Sequence, residues 1–267
     1  IMAIMLISVL GTACGEDSTT SSEVDNKAQV AIYPLPTHPL NDADPSVTFD
    51  NGVRVLHNIY ETLLRYDPDN DIFIPVLATD YSKSEDNLTW TFSIRQNVKF
   101  HDGTLLDAEA VKFSIERTKE LGKGAAFIWD PVEEINAIDK YTVEFKLNRP
   151  AAVDFIAASA NAAFIMSPET VKSHPDDWLS SGNEAGSGPY MIEKHVMGKQ
   201  VILTKFEDYW GGWEGEHFEK VVFNEVGETA TRRQLIEKGD ADIVIELPYE
   251  DIEALKSNPN VKVLTHS

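Results

Sequence analysis

The sequence predicts an α/β protein in which a small antiparallel α+β unit stands between two strand-rich stretches. Three observations carry this. In "LTWTFSIR" (Leu88 to Arg95), Leu88, Trp90, Phe92 and Ile94 alternate with Thr89, Thr91, Ser93 and Arg95, the period of two that marks a half-buried strand. "YTVEFKL" repeats the alternation with Tyr141, Val143, Phe145 and Leu147. Further on, "YMIEKHV", "QVILTKF" and "KVVFNEV" return the chain to strands, with Met197-Gly198-Lys199 as the hairpin turn between the first two.

Taken in order, "AQVAIY" (Ala28 to Tyr33) reads as a short strand leading into a loop held by Pro34, Pro36, Pro39 and Pro45. In "NGVRVLHNIYETLL", Val53, Leu56, Tyr60, Leu63 and Leu64 recur at three-to-four spacing, which predicts an amphipathic helix ending near Tyr66-Asp67-Pro68. Asp107 is placed to cap a helix presenting Val111, Ser114, Ile115 and Thr118, with Glu109 and Glu116 on its solvated side. Ser167 caps a second helix with Pro168 at its first position, where the missing N–H costs nothing. A third runs from about Glu228 to Gly239, whose freedom in the left-handed region ends it, and a strand is expected at Ile243 to Ile245.

Composition narrows the function. The formal net charge of -21 over 267 residues argues against nucleic acid, which is held by clustered Lys and Arg. The only cysteine, Cys14, excludes an intrachain disulfide. It closes "IMAIMLISVLGTAC", an apolar run too short to span a bilayer, which reads as a secretory signal entered part-way. The final residues look like a bacterial lipoprotein cleavage box, with Gly11 where leucine is usual, so residues 1–14 are expected to be signal and box and Cys14 the lipidated residue. The polar stretch that follows, residues 15–27, reads as a flexible tether.

His101-Asp102-Gly103 invites a catalytic or metal reading, but HExxH, HxH, GxSxG and GxxxxGK[ST] are all missing. A turn followed by a cap accounts for these residues, so no catalytic residue, metal site or cofactor is expected. The tryptophans Trp129, Trp178, Trp210 and Trp213 are read as core or rim packing, and Tyr209-Trp210-Gly211-Gly212-Trp213 as a bulky plug over a glycine turn.

Three separated stretches resemble one family: "IYETLLRYDPDN…PVLATDYSKSEDNLTWTFSIRQNVKFHDGTLLDAEAVKFSIER", "GSGPYMIEKHVMGKQVILTKFEDYWGG" and "RRQLIEKGDADIV". Over nearly all of residues 45 to 247 the chain is similar to the family 5 extracellular solute-binding proteins of bacterial peptide and nickel ABC importers. The resemblance implies a class II periplasmic-binding-protein-like fold with a ligand cleft between two lobes. The first lobe would be split over residues 28–60 and 181–267, around an inserted small domain at 61–180. Gly186 and Gly188 would sit at the return, and the second lobe would be missing from this chain, since family members are about twice its length. By alignment with the family pattern, Thr48, Phe49 and Asp50 would line the cleft and Phe127 would contact the ligand.

The implied function is a monomeric receptor outside the cytoplasm, held to the membrane by a lipid anchor alone. It would capture a small solute, most of all an oligopeptide, for an ABC permease, with nickel complex, sugar and opine left open as ligands. A sensor receptor docking on a chemoreceptor or kinase ectodomain is the alternative role, and a secreted hydrolase a remoter one.

Overall fold

The computed structural model describes residues 29–264. Cys14 and the tether lie outside them. The elements in chain order are β1 (Val30–Leu35), α1 (Val53–Leu56), β2 (Leu64–Asp67), β3 (Ile72–Pro75), β4 (Ala78–Lys83), β5 (Thr89–Ile94), α2 (Ala108–Leu121), β6 (Val132–Asp139), β7 (Thr142–Leu147), α3 (Val153–Ala157), α4 (Pro168–Lys172), β8 (Tyr190–Val196), β9 (Gln200–Lys205), β10 (Lys220–Glu225), α5 (Thr229–Lys238) and α6 (Tyr249–Leu255).

One four-stranded sheet is wholly antiparallel, in the order β4-β5-β7-β6. The alternation read in "LTWTFSIR" is its register: Trp90 faces Phe145 and Phe92 faces Val143 across the strands, on the buried side. α2 closes this side with Val111 and Ile115, and Trp129 stacks on Phe145 at 5.8 Å while its indole N–H donates to the Ala162 carbonyl at 2.7 Å. Each large apolar side chain withdrawn in this way contributes roughly 1.5–3 kcal/mol. Asp107 caps α2 by accepting from Ala110 N at 3.0 Å, and Gly122, with φ 60°, ends it.

The second four-stranded sheet has the order β1-β10-β9-β8. Here β1 lies parallel to β10, and the rest pair antiparallel. Strands on either side of the antiparallel unit thus share one sheet, with a core of Leu35, Leu56, Tyr60, Val201, Leu203 and Phe223. β1 runs two residues later than expected, because its pairing with β10 extends to Leu35 opposite Glu225.

Two expectations fail for a common reason. The helix read over Val53 to Leu64 is α1 alone, and Leu64 to Asp67 form strand β2. Instead of continuing a helix, the Asn58, Ile59 and Glu61 carbonyls accept from Tyr190, Gly188 and Ile165 at 2.8–2.9 Å. The strand expected at Ile243 to Ile245 does not form either. Only Asp242 and Ile243 reach β1, both through the Ile32 carbonyl, and the Asp242 carboxylate takes the Ile32 N–H that a ladder would need. Both errors arise where tertiary hydrogen bonds capture a backbone whose local pattern favours something else. Among the described residues, no helix is long and apolar enough to cross a membrane.

Candidate functional site

β1 and β10 end side by side, and in open α/β sheets the carboxyl ends of parallel strands are where ligands bind. The loop of residues 36–52 starts at this end. Its base is fixed from α2. Arg117 grips Asp44 with both Nη atoms, at 2.6 and 2.9 Å, and Nη1 also donates to Ser46 Oγ at 3.0 Å. Ser46 Oγ lies 2.7 Å from Thr118 Oγ1, and the Asp44 carbonyl accepts from Val47 and Thr48. Asp44 and Ser46 are buried, so this is an ion pair out of water in the two-pronged geometry that a guanidinium suits best.

A second loop, after α2, is pressed against the first. Gly124 adopts φ 54°, and a Cβ there would fall 2.6 Å from the Val47 carbonyl oxygen, so only glycine lets the backbones approach. Each loop carries one exposed ring: Phe49 is 59% and Phe127 62% accessible. Of the residues aligned to the cleft, these two present apolar surface, and the structure brings their loops together. Thr48 is buried and donates to the Asp42 carbonyl at 2.6 Å, while Asp50 accepts from Gly52 N at 2.7 Å, so both shape the loop from within.

From this loop a chain of polar contacts runs to the far side of β1. Asn51 donates to Thr37 at 3.5 Å and accepts from Arg54 Nη1 at 3.2 Å, and Arg54 Nη2 donates to Glu246 Oε1 at 3.2 Å. Tyr33 lies within this field: burial raises its phenol pKa, Arg54 opposes the rise and Glu246 adds to it.

Below this rim, where the chain passes between the two sheets, lies a buried titratable cluster. Glu61 accepts from Ser187 Oγ at 2.8 Å, Trp210 Nε1 at 2.9 Å and Tyr209 Oη at 3.1 Å, so the plug read in the "YWGGW" stretch closes over a carboxylate. Asp102-Gly103 does form the expected turn, with Gly103 at φ 84°, but His101 does more than lead into it. Its Nδ1 lies 2.7 Å from Glu184 Oε2 and its Nε2 2.9 Å from the Gly188 carbonyl oxygen. Both neighbours accept, so both ring nitrogens donate and the ring is an imidazolium.

Burial pulls the His101 pKa down, but the hydrogen bond and charge of Glu184, the Gly188 carbonyl and the charge of Glu61 outweigh it, and the net shift is upward. Burial also raises Glu61, against the pull of its three donors. Each group therefore binds its proton more tightly folded than unfolded, and such groups make stability fall as pH rises. The His101 contribution is whole below about pH 6.5, the unfolded histidine value, and is lost as pH climbs through the higher folded one. The urea midpoint of the chain is expected to drop from pH 6 to pH 8.5, roughly the window above that value, and His101→Gln to flatten the slope. A midpoint that rises over this window would contradict the imidazolium assignment.

The family model for bacterial extracellular solute-binding proteins, family 5 (Middle), matches residues 73–267. The chain belongs to the family 5 bacterial extracellular solute-binding proteins. It is 36% identical over 228 residues to the probable D,D-dipeptide-binding periplasmic protein of Escherichia coli K12, covering 82% of this chain and 44% of that protein. Among solved structures, the nickel ABC transporter protein of Bacillus halodurans superposes with a TM-score of 0.72 at 28% identity, over 86% of this chain and 46% of that one. A periplasmic binding protein of Helicobacter pylori in complex with the peptide STSA shares the fold, with a TM-score of 0.75 at 24% identity, over 86% of this chain and 49% of that one. The chain thus spans about half the length of the relatives it matches.

Within this family 5 chain, sequence reasoning missed Asp44, Arg117, Arg54 and Glu246. The Asp44–Arg117 pair spans 73 residues and the Arg54–Glu246 pair 192, and no periodic pattern connects such positions. The one available signal was Asp-Pro at 44–45, which marks a turn without naming its partner.

Proposed function

We propose that this chain is the first lobe, with its inserted domain, of an extracytoplasmic solute receptor that captures small peptides and hands them to an ABC permease. The supporting observation is the rim itself: two loops bearing exposed rings, Phe49 and Phe127, stand on a buried Arg117–Asp44 base at the carboxyl ends of parallel strands. A preorganised apolar wall of this kind accepts varied side chains without spending affinity on ordering loops. In this reading Phe49 and Phe127 form the ligand wall, Thr48 and Asp50 hold the loop that carries Phe49, and the lobe comprises residues 28–60 and 181–267 around a domain at 61–180.

Peptide is favoured as ligand because relatives are named for D,D-dipeptide and glutathione binding and one solved neighbour holds a peptide. The receptor acts by population shift: the solute binds the closed arrangement of lobes better than the open one, and the permease reads closure. No covalent step is involved.

A groove of about 620 Å³ beside α6, walled in part by Ile243, Ile245, Leu247, Val263 and Leu264, also supports a larger receptor, since Ile243 and Leu264 stand exposed there. The reading also makes Cys14 the lipid anchor. Calorimetry is expected to give micromolar-range binding of tripeptides, about -8 kcal/mol, to the full-length gene product and far weaker binding to residues 28–267. Tight binding to the shorter chain, or none to the longer, would overturn the proposal. Labelled palmitate is expected on the wild type in a bacterial host and not on Cys14→Ser; equal labelling of both would refute the anchor.

A further inference from the structure

Among the described residues, five other than glycine hold a positive φ: Asp71, Asn87, Asn97, Ala162 and Glu246. The first three are of the types that tolerate the left-handed region, because a short polar side chain can bond locally there. Ala162 has a core task, its carbonyl accepting from Trp129. Glu246, at φ 56°, has neither excuse, and an outlier that surrounding structure must impose is a reason to look for a function.

What imposes it is Arg232. This side chain is buried, yet its partners are neutral: Nη1 donates to the Val226 and Gly227 carbonyls at 2.7 and 2.8 Å, and Nη2 to the Glu246 carbonyl at 3.1 Å and to Thr229 Oγ1 at 3.5 Å. Arg232 makes no ion pair among the described residues. A buried guanidinium thus ties the backbone of residue 246 to the turn that follows β10. With its carbonyl held inward, Glu246 sends its carboxylate to the rim, where Oε1 meets Arg54 Nη2.

The Glu246 side chain is 52% exposed, and its Oε2 has no hydrogen-bond partner among the described residues. Arg54 is shared, its Nη1 being engaged by Asn51. An exposed pair of this kind is weak and exchanges readily for a better cation. The net charge of -21 raises the local concentration of cations.

We infer that Glu246 is a ligand-binding residue whose carboxylate takes a cationic nitrogen of the solute, displacing Arg54. Arg232 is the positioning residue that presents it. The inference rests on the peptide-receptor reading above and adds the charge that the solute must bring. Two sources share this chemistry: a terminal ammonium, and a Lys or Arg side chain.

The test is calorimetry on the full-length gene product with three probes: Ala-Ala-Ala, N-acetyl-Ala-Ala-Ala and N-acetyl-Ala-Lys-Ala. Loss of one charge-assisted hydrogen bond in Glu246→Gln is expected to weaken the cationic probe by about tenfold and to leave N-acetyl-Ala-Ala-Ala within about twofold. A loss confined to Ala-Ala-Ala assigns the terminal amine, and one confined to N-acetyl-Ala-Lys-Ala the side chain. Arg54→Gln frees the carboxylate and is expected to strengthen the same cationic probe, a change of opposite sign that a merely structural role would not produce.

If the wild type binds these probes but both variants shift all of them alike, or in the same direction, the Glu246 assignment is wrong and the receptor reading survives. If the wild type binds none of the three, the peptide reading fails and takes this inference with it.

Discussion

Gly186→Ala is expected to lower the melting temperature of the chain by about 10 °C or more, equivalent to about 4 kcal/mol, near the extreme for a single substitution. A Cβ at position 186 would lie 2.0 Å from the Ile59 carbonyl oxygen and 2.8 Å from its carbon. Neither backbone can retreat. The Ile59 carbonyl accepts from Gly188 N at 2.8 Å, the Gly186 carbonyl accepts from His101 N at 2.8 Å, and Gly186 N donates to Glu184 at 2.8 Å. Moving either segment breaks bonds in a buried place, where an unmade hydrogen bond costs about 1–3 kcal/mol. Gly198→Ala is the control: nothing lies within 4 Å of its Cβ, and only the left-handed backbone at φ 69° resists, at about 1–2 kcal/mol. Thermal melts followed by circular dichroism compare the two, and a Gly186→Ala melt within 2–3 °C of wild type, less than about 1 kcal/mol, would show that the crossing is not packed as described.

Arg117→Ala should cost about 3–5 kcal/mol, because it strands a buried carboxylate instead of merely deleting a contact. Asp44 is 2% and Ser46 1% accessible, so neither can recover its lost partner from water. Arg117→Lys retains the charge but cannot grip both Asp44 oxygens, and it should recover only part of the loss. Urea unfolding of Arg117→Ala, Asp44→Ala and the double variant provides the check: the double loss should fall short of the sum by about 1 kcal/mol or more, the signature of coupled residues. Additive losses, or a loss below about 0.5 kcal/mol for Arg117→Ala, would remove the pair as the base of the loop. In the full-length gene product the same variant should weaken solute binding, since Phe49 and Phe127 would no longer stand on a fixed footing.

These two effects fall on positions that differ in how visible they were. Gly186 and Gly188 could be singled out because a family resemblance set them at the return of the chain. The Arg117–Asp44 pair left no trace, because an arginine on the half-buried side of a helix looks like any other until its partner arrives from 73 residues away. His101 falls between the two. The turn at Asp102-Gly103 was legible, and the imidazolium beside it was not, since its acceptors come from residues 184 and 188.

What the sequence determined alone was everything governed by neighbours along the chain. The alternation of Trp90, Phe92 and Ile94 set a strand and its buried face, Asp107 and Ser167 started helices, and Gly198 and Gly239 turned or stopped the chain. What only the tertiary structure decided was where hydrogen bonds between distant segments outcompete local preference. Residues 58 to 61 give up a helix to pair with 165, 188 and 190, and Asp242 gives up a strand by spending its carboxylate on β1. Periodicity records which side of an element is buried. The identity of the distant segment that buries it, and so the base of the rim at Asp44 and Arg117, exists only once the chain has folded.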